Sequence, residues 1–199
     1  MEFKKVIQKR RTTRQFTGAP VTEEQIKRII QAGITAPSFD HKRKWNFIAV
    51  MSEAAKAKVT DCIDPLPCKD TPPENPVQEM IQIAFPKQKS MFAEAGCILL
   101  PLYKRETQIM TEVGPRRLMD FAEIWCVIEN IFLATTDEGL GCSMRIPTEG
   151  QPEKILEALG CPSGYQLPCI IGIGHIAEGA EYPEQIYPDL AECVHWENW

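Results

Sequence analysis

The basic residues near the start of the chain are the first candidates for ligand chemistry. Residues 1–14 hold six lysines and arginines against one acid, whereas the whole chain carries a formal net charge of −5. The planar guanidinium of arginine can donate two hydrogen bonds to one phosphate group, and the Thr12 hydroxyl adds a donor beside it. The cluster therefore suits a phosphomonoester. A solvated helix end, where the helix dipole favours basic side chains, explains the same composition, so both interpretations stay open at this point.

Two later segments place polar groups on turns. Residues 36–45, with the sequence APSFDHKRKW, lie between a predicted helix end and a predicted strand. Their backbone N–H groups, hydroxyl and basic side chains could bind the polar edge of a ring system. Residues 147–150 (PTEG) form a second turn, where the glycine allows the backbone to approach a ligand closely. Either segment alone is equally compatible with an ordinary connection.

Several other chemistries are excluded by the sequence. It contains no P-loop, no G-x-S-x-G elbow and no zincin motif. The glycines of residues 171–174 lack the strand–helix–strand context of a dinucleotide-binding fingerprint. The eight cysteines form no C-x-x-C pair and have no histidine at ligand spacing. We therefore expect no metal site, and mostly reduced thiols that pack as small apolar side chains.

Length and composition indicate one domain over residues 1–199. Hydrophobic residues make up 44% and charged residues 25% of the chain, which is typical of soluble globular proteins. The acidic net charge argues against nucleic acid and anionic membrane surfaces as partners. No apolar run approaches the ~20 residues of a transmembrane helix. The first residues lack the apolar core of a secretory signal, so the expected location is the cytoplasm.

Hydrophobic periodicity predicts the elements that position these segments. Thr22 and Gln25 form a capping-box pair ahead of a helix with a buried stripe, which ends at Ala36-Pro37. The longest helix is predicted over 120–138, with an apolar face that runs from Phe121 to Phe132. The other predicted elements are a short opening helix, helices over 52–62 and 152–160, strands over 45–51, 97–102, 140–146 and 167–174, and an irregular stretch with five prolines over 64–76. Helices and strands interleave, so the class is α/β or α+β with a mixed central sheet.

The order of the candidate segments is more specific than any one of them. Arg10-Arg11-Thr12-Thr13-Arg14-Gln15-Phe16 is followed by Ala36-Pro37-Ser38 and by Trp45-x-Phe47. In the second half come Glu129-Asn130 with Leu133-Ala134, then Gly139-Leu140-Gly141-Cys142, Pro147-Thr148-Glu149-Gly150 and Val194-His195-Trp196. This series, which spans essentially the whole chain, strongly resembles the signature of the nitroreductase family.

The resemblance implies a fold and a cofactor. The expected fold is α+β, with a central, mostly antiparallel mixed sheet flanked by helices. The expected assembly is a domain-swapped homodimer, joined through the long helix and exchanged C-terminal arms, with one FMN at each side of the interface. The implied cofactor-binding residues are Arg10, Arg11, Thr12 and Arg14 at the phosphate and ribityl chain, Pro37, Ser38, Phe39 and His41 from the second protomer, Gln88 at the pyrimidine edge, and Pro147, Thr148, Glu149 and Gly150 along the flavin.

The implied activity is transfer of hydride from NADH or NADPH, through the flavin, to a small electron-poor acceptor such as a nitroaromatic or a quinone. The flavin carries the chemistry, so no side chain is expected to be catalytic. The alternatives are a flavin-binding protein of the same fold with little reductase turnover and, on residues 4–14 alone, a nucleic-acid binder.

Three departures from the family pattern bear on the site. His41, Arg43 and Lys44 stand where the family has Asn, Gln and Pro. Phe39 replaces a small polar residue, and residues 181–190 lack the basic side chain that completes the phosphate site in many members. Either other groups, such as Lys42 or Arg43, close that site, or FMN binds more weakly than is usual in the family.

Overall fold

A buried strand, β2 (Cys97–Lys104), forms the centre of the sheet in the computed structural model, which describes residues 1–68, 71–104 and 118–199. β1 (Trp45–Val50) pairs with one side of β2, and β5 (Ile170–Gly174) pairs with the other. β3 (Gly141–Arg145) lies beside β5 at the edge, and the short β4 (Tyr165–Gln166) pairs with the end of β2. All these strand pairs are antiparallel, which confirms the predicted sheet.

Helices cover both faces of this sheet. α2 (Glu23–Gly33) and α6 (Met119–Asp137) pack on one face, over Leu99 and Ile171. On the opposite face lie α3 (Glu53–Thr60), α5 (Ser90–Ala93) and α7 (Gln151–Ala158), packed over Ile98 and Ile170. Neighbouring residues of a strand point to opposite faces, so the apolar run of each central strand serves two cores.

Two sequence features explain where α2 begins and how closely it packs against α6. The predicted capping box of α2 is present: the Thr22 side chain accepts from the Gln25 N–H, and Gln25 returns the bond to the Thr22 N–H. At the other end, a Cβ added to Gly33 would lie 2.8 Å from Ile131 Cγ1 of α6. Glycine thus lets the two helices approach closely.

The long helix α6 confirms the prediction over 120–138 to within one residue at each end. Its buried stripe is shorter than the apolar face expected from the sequence. Ile124, Val127, Ile128 and Ile131 are buried, whereas Phe121 is 43% exposed. In the first turn of α6, Phe121 contacts the rings of Tyr103, in β2, and Trp125 edge-on.

The remaining elements show which signals were missed. The opening helix, α1 (Phe3–Lys9), is present, but only Val6 of its apolar face is buried. α4 (Pro76–Ala84) was not predicted, although Asn75 and Pro76 are a favourable N-cap and first residue. The last strand begins at Ile170 rather than at 167, because Pro168 has no N–H to donate to the ladder. A short helix, α8 (Leu190–Cys193), interrupts the predicted extended tail.

The cysteines behave as the sequence suggested only in part. Cys97, Cys142 and Cys169 are buried, and burial raises the pKa of each thiol to about 12. Cys126 and Cys193 are exposed. Among the described residues, no group of three or more metal-ligating side chains comes together, and no helix there has the length and apolar character to cross a membrane.

Candidate functional site

The chain that follows α1 runs in an extended conformation beside the edge of the sheet. Thr12 forms a parallel bridge with Cys142 of β3, and the Thr13 N–H donates to the Cys142 carbonyl at 2.7 Å. Further on, Phe16 bridges Ile176 just after β5. An edge strand has unpaired backbone groups, and residues 12–16 use some of them here. The basic segment is therefore fixed by backbone hydrogen bonds.

The extended conformation divides the basic segment into two sides, because successive side chains point in opposite directions. Arg10, Thr12 and Arg14 lie on one side. Together with residues of α6 and β3 they line a cavity of about 100 Å³, whose other wall residues are Phe132, Cys142, Ser143 and Met144. The structure thus brings together three of the four residues predicted at the phosphate.

Arg11, the fourth, lies on the opposite side. Its Nη2 donates to the Pro183 carbonyl at 2.6 Å, and its guanidinium lies 5.1 Å from the centre of the Tyr182 ring. With Thr13 it lines a separate cavity of about 390 Å³. The side chain of Arg11 therefore holds the C-terminal segment and is apart from Arg10, Thr12 and Arg14.

Several polar atoms in the smaller cavity are buried without a partner. Among the described residues nothing hydrogen-bonds to Nε or Nη1 of Arg14, or to Oγ of Ser143. Burial lowers the pKa of Arg14 from its ordinary value. A buried donor that lacks an acceptor costs about 1–3 kcal/mol, and more when it is charged. An anion in this cavity would give the Arg14 donors an acceptor.

Ser143 is held in place by a small neighbour. In the register of β3 and β5 it lies opposite Gly172. A Cβ added to Gly172 would lie 2.6 Å from Ser143 Oγ, closer than real Cβ atoms come to other heavy atoms. Glycine at this core position therefore leaves the room that the Ser143 hydroxyl occupies.

The predicted turn at 147–150 follows β3 after one residue and is closed by two hydrogen bonds. The Thr148 N–H donates to Oε1 of Gln151 at 3.0 Å, and the Gln151 N–H donates back to the Thr148 carbonyl at 3.0 Å. Gly150 adopts φ 77°, a left-handed conformation that suits glycine, and begins α7. Thr148 and Glu149 are exposed and Pro147 is half-buried, so one face of the turn is open.

Gln88 belongs to a buried network that includes a cation the sequence did not single out. Its Oε1 accepts from Nη1 of Arg145 at 2.9 Å, and its Nε2 donates to the Ala84 carbonyl at 3.1 Å. Arg145 is only 4% exposed, and its Nη2 donates to the Asp64 carbonyl at 3.4 Å. The Asp64 carboxylate accepts from Gln151. The side chain of Gln88 is thus hydrogen-bonded to Arg145. The sequence feature that could have indicated Arg145 is a charged residue at the end of an apolar strand, because charged side chains are rarely buried.

The second basic segment, residues 37–44, lies elsewhere in the protomer. A 3₁₀ helix spans Phe39–His41, and Asp40, His41 and Arg43 have positive φ of 55°, 53° and 44°. The Ser38 hydroxyl donates to Glu123 of α6 and accepts from the Arg43 N–H, both at 3.0 Å. The Phe39 N–H also donates to Glu123. Two hydrogen bonds to a buried carboxylate therefore fix this loop to the start of α6.

The two basic segments do not form one site within a single protomer. The loop contacts Glu123, whereas the small cavity reaches Phe132, nine residues further along α6. At a rise of about 1.5 Å per residue, these points are ~14 Å apart along the helix. Pro37, Phe39 and His41 are exposed there. Within one protomer they are therefore apart from Arg10, Thr12 and Arg14.

The C-terminal segment is hydrogen-bonded to the rest of the protein up to Pro183, and the residues beyond Pro183 are exposed. The Ala177 N–H donates to the Gln15 carbonyl, and the Glu181 N–H donates to the Gln15 side chain. Beyond Pro183, large apolar side chains face outwards: Ile186 is 65%, Tyr187 77%, Leu190 74%, Trp196 84% and Trp199 99% exposed. Exposed apolar groups in such number are typical of an interaction surface.

Comparisons with known proteins find relatives that match nearly the whole chain. The model of the nitroreductase family matches residues 7–175. An iodotyrosine deiodinase of Nematostella vectensis is 24% identical over 97% of the chain, which spans 74% of that protein. An NADH dehydrogenase of Thermus thermophilus is 23% identical over 98% of the chain and 96% of its own length. The crystal structure of an oxidised iodotyrosine deiodinase, bound to FMN and 3-iodo-L-tyrosine, superposes over the full length of both chains with a TM-score of 0.76 and 19% identity.

Proposed function

Because the chain belongs to the nitroreductase family, we propose that it binds FMN and passes hydride from NADH or NADPH to a small electron-poor acceptor. The observation that carries the proposal is the guanidinium of Arg14, whose Nε and Nη1 are buried without a partner beside Arg10 and Thr12. This donor set matches a phosphate monoester in charge and in hydrogen-bonding character.

The residues of the site have distinct roles in this proposal. Arg10, Thr12 and Arg14 hold the phosphate end, where charge-assisted hydrogen bonds are strong. Pro147, Thr148, Glu149 and Gly150 lie along the ring, on the open face of their turn. When bound, FMN supplies reversible two-electron chemistry. The chain positions the group and excludes water, and no side chain is needed as an acid or a base.

A homodimer is part of the proposal, because one protomer encloses too little space beside Arg10, Thr12 and Arg14. The cavity of about 100 Å³ fits a phosphate-sized group, whereas pockets for drug-sized ligands measure about 300–1,000 Å³. The ring must therefore lie in space that another chain closes. Pro37, Ser38, Phe39 and His41 of a second copy are suited to this task, and the exposed tail beyond Pro183 is suited to joining the copies.

A spectroscopic experiment tests the proposal directly. The purified protein should show the visible absorption of oxidised flavin, with one FMN per chain. Anaerobic addition of NADH or NADPH should bleach it, and a quinone or nitroaromatic should restore it. A colourless protein that does not take up added FMN contradicts the proposal. A yellow protein that a nicotinamide cannot reduce would instead be a flavin-binding protein with little reductase turnover.

Reductive dehalogenation is a second candidate, favoured by the similarity to iodotyrosine deiodinases. In that reaction two electrons and one proton replace the iodine of an aryl iodide with hydrogen and release iodide. Release of iodide from 3-iodotyrosine, compared with reduction of a quinone under the same conditions, decides between the two acceptor classes. Iodide release at a rate equal to that without the protein removes this candidate.

A further inference from the structure

A second cavity lies on the other side of residues 10–14, where the proposed phosphate site does not reach. It has a volume of about 390 Å³ and lies between α1, the end of α6 and the C-terminal segment. Lys9, Arg11 and Thr13 line it, and none of the residues assigned to the phosphate does. Pockets that bind small organic molecules measure about 300–1,000 Å³, so this cavity has room for such a ligand.

The wall of this cavity combines apolar side chains with groups that are fixed in place. Leu140 and Ile176 supply the apolar surface. The hydroxyls of Thr13 and Tyr182 are hydrogen-bonded to each other at 3.2 Å. A Cβ added to Gly141 would lie 2.7 Å from Thr13 Oγ1 and 2.8 Å from Ile176 Cγ1, so the packing beneath the cavity is already tight. A ligand would therefore meet a preformed surface.

The charge in this cavity is positive and has no counter-ion. Arg11 is half-buried, and its contacts are with two uncharged groups, the Pro183 carbonyl and the Tyr182 ring. In the described parts of the chain, no carboxylate pairs with Arg11 or with Lys9. The nearby acid Asp137 pairs instead with the amino group of Met1. A partly desolvated cation attracts an anion more strongly than a fully hydrated one does.

We propose that this cavity is a second binding site, separate from that of FMN, for a small organic carboxylate. Arg11 uses Nη2 for the Pro183 carbonyl, and its other N–H groups remain to donate to a carboxylate. Lys9, at the exposed side of the cavity, adds a second positive charge. Leu140 and Ile176 contact the apolar body of the ligand, which an inorganic anion lacks.

The probe for this site is para-fluorobenzoate, titrated into the FMN-saturated protein and followed by fluorine NMR. One molecule should bind per chain. The neutral amide of the same shape, para-fluorobenzamide, should bind about tenfold more weakly or less, because it cannot use the charge of Arg11. Inorganic phosphate should not displace the probe, because it gains nothing from the apolar wall. Displacement by phosphate at equal concentration would show a site for anions in general and would overturn the assignment to organic carboxylates.

Two arginine variants should have opposite effects on the two ligands. Arg11→Ala should weaken the probe about tenfold or more and leave FMN bound, whereas Arg14→Ala should weaken FMN and leave the probe bound. Arg28→Ala is the control for loss of an arginine elsewhere, since Arg28 pairs with Glu138 on the exterior. Parallel losses of probe and FMN in both variants, or displacement of the probe by FMN, would mean that there is only one site.

A filled cavity tests the inference without any change of charge, and serves also if Arg11→Ala does not fold. Thr136 lines the cavity from the end of α6. Thr136→Phe should exclude the probe, whereas Thr136→Val, which keeps the size of the side chain, should still bind it. Equal binding to both variants overturns the location. A protein that binds FMN and not the probe overturns this inference alone, and one that binds the probe and not FMN overturns the proposed function alone.

Discussion

Two basic segments of this chain look alike in sequence and differ in what the fold does with them. Residues 10–14 are paired with β3, and Nε and Nη1 of Arg14 are buried without a partner. Residues 41–44 are exposed, and their loop is held by bonds from Ser38 and Phe39 to Glu123. Positive charge is common to both. Hydrogen-bond donors that are buried without partners indicate a binding site. By this criterion residues 10–14 form part of a binding site within one chain, and residues 41–44 do not.

The largest expected effect comes from removing the tail that is proposed to join two copies of the chain. Truncation after Glu184 keeps Tyr182 and Pro183, which Arg11 contacts, and removes the exposed apolar tail. We expect the dimer to dissociate and FMN to be lost, because residues 37–41 of the partner then no longer close the site. Sedimentation velocity with absorbance detection in the visible range measures both. A yellow monomer would show that one protomer suffices.

A smaller effect is expected from substituting single arginines on the two sides of residues 10–14. Arg10→Ala and Arg14→Ala each remove a charge-assisted contact worth roughly 1.5–3 kcal/mol, so FMN affinity should fall about ten- to hundredfold with the fold intact. Arg11→Ala is the matched control, since its guanidinium faces Pro183 and Tyr182. Fluorescence titration gives the affinities and circular dichroism the fold. Equal losses for Arg11 and Arg14 would contradict the division of the segment.

The third prediction concerns the second segment and its anchor. Glu123→Gln replaces a buried acceptor of bonds from Ser38 and Phe39 with an amide, half of which cannot accept. Such a loss costs about 1–3 kcal/mol of unfolding free energy. Urea denaturation measures it, and Glu129→Gln, on the exposed side of α6, is the control. If both variants unfold at the same urea concentration, the loop does not depend on Glu123.

The smallest effect tests whether the exposed charges influence the acceptor. Charges near a ring favour anionic acceptors, but exposed ion pairs are worth only about 0.2–1 kcal/mol. Arg43→Gln should therefore lower the ratio of catalytic efficiencies for a carboxylated and a neutral quinone by ~5-fold at most. The ratio should also decrease with added salt. A ratio that neither the substitution nor salt changes would show that Arg43 has no part in acceptor choice.

The sequence predicted most of the frame and part of the site, for physical reasons that can be named. The capping box of α2 and the apolar period of α6 are local signals, and both elements appear where expected. That Arg14 and Arg11 lie on opposite sides of their segment could not be predicted, because it depends on the segment being extended. The extended conformation in turn depends on pairing with β3. The pair of Arg145 and Gln88 joins residues 57 positions apart, so no local pattern reports it. The anchoring of Ser38 by Glu123 is equally non-local.

The position of Ser143 in the cavity wall depends on a core residue, Gly172. Any side chain there would collide with Ser143 Oγ, and Met91 and Phe92 leave no other room for it. Directed evolution of the protein would meet this constraint early, because a larger residue at 172 would push the serine out of place without contacting any ligand. In a saturation library sorted by flavin colour, this position should tolerate as little variation as the residues of the cavity wall. Engineers who redesign the site should therefore vary positions 143 and 172 together.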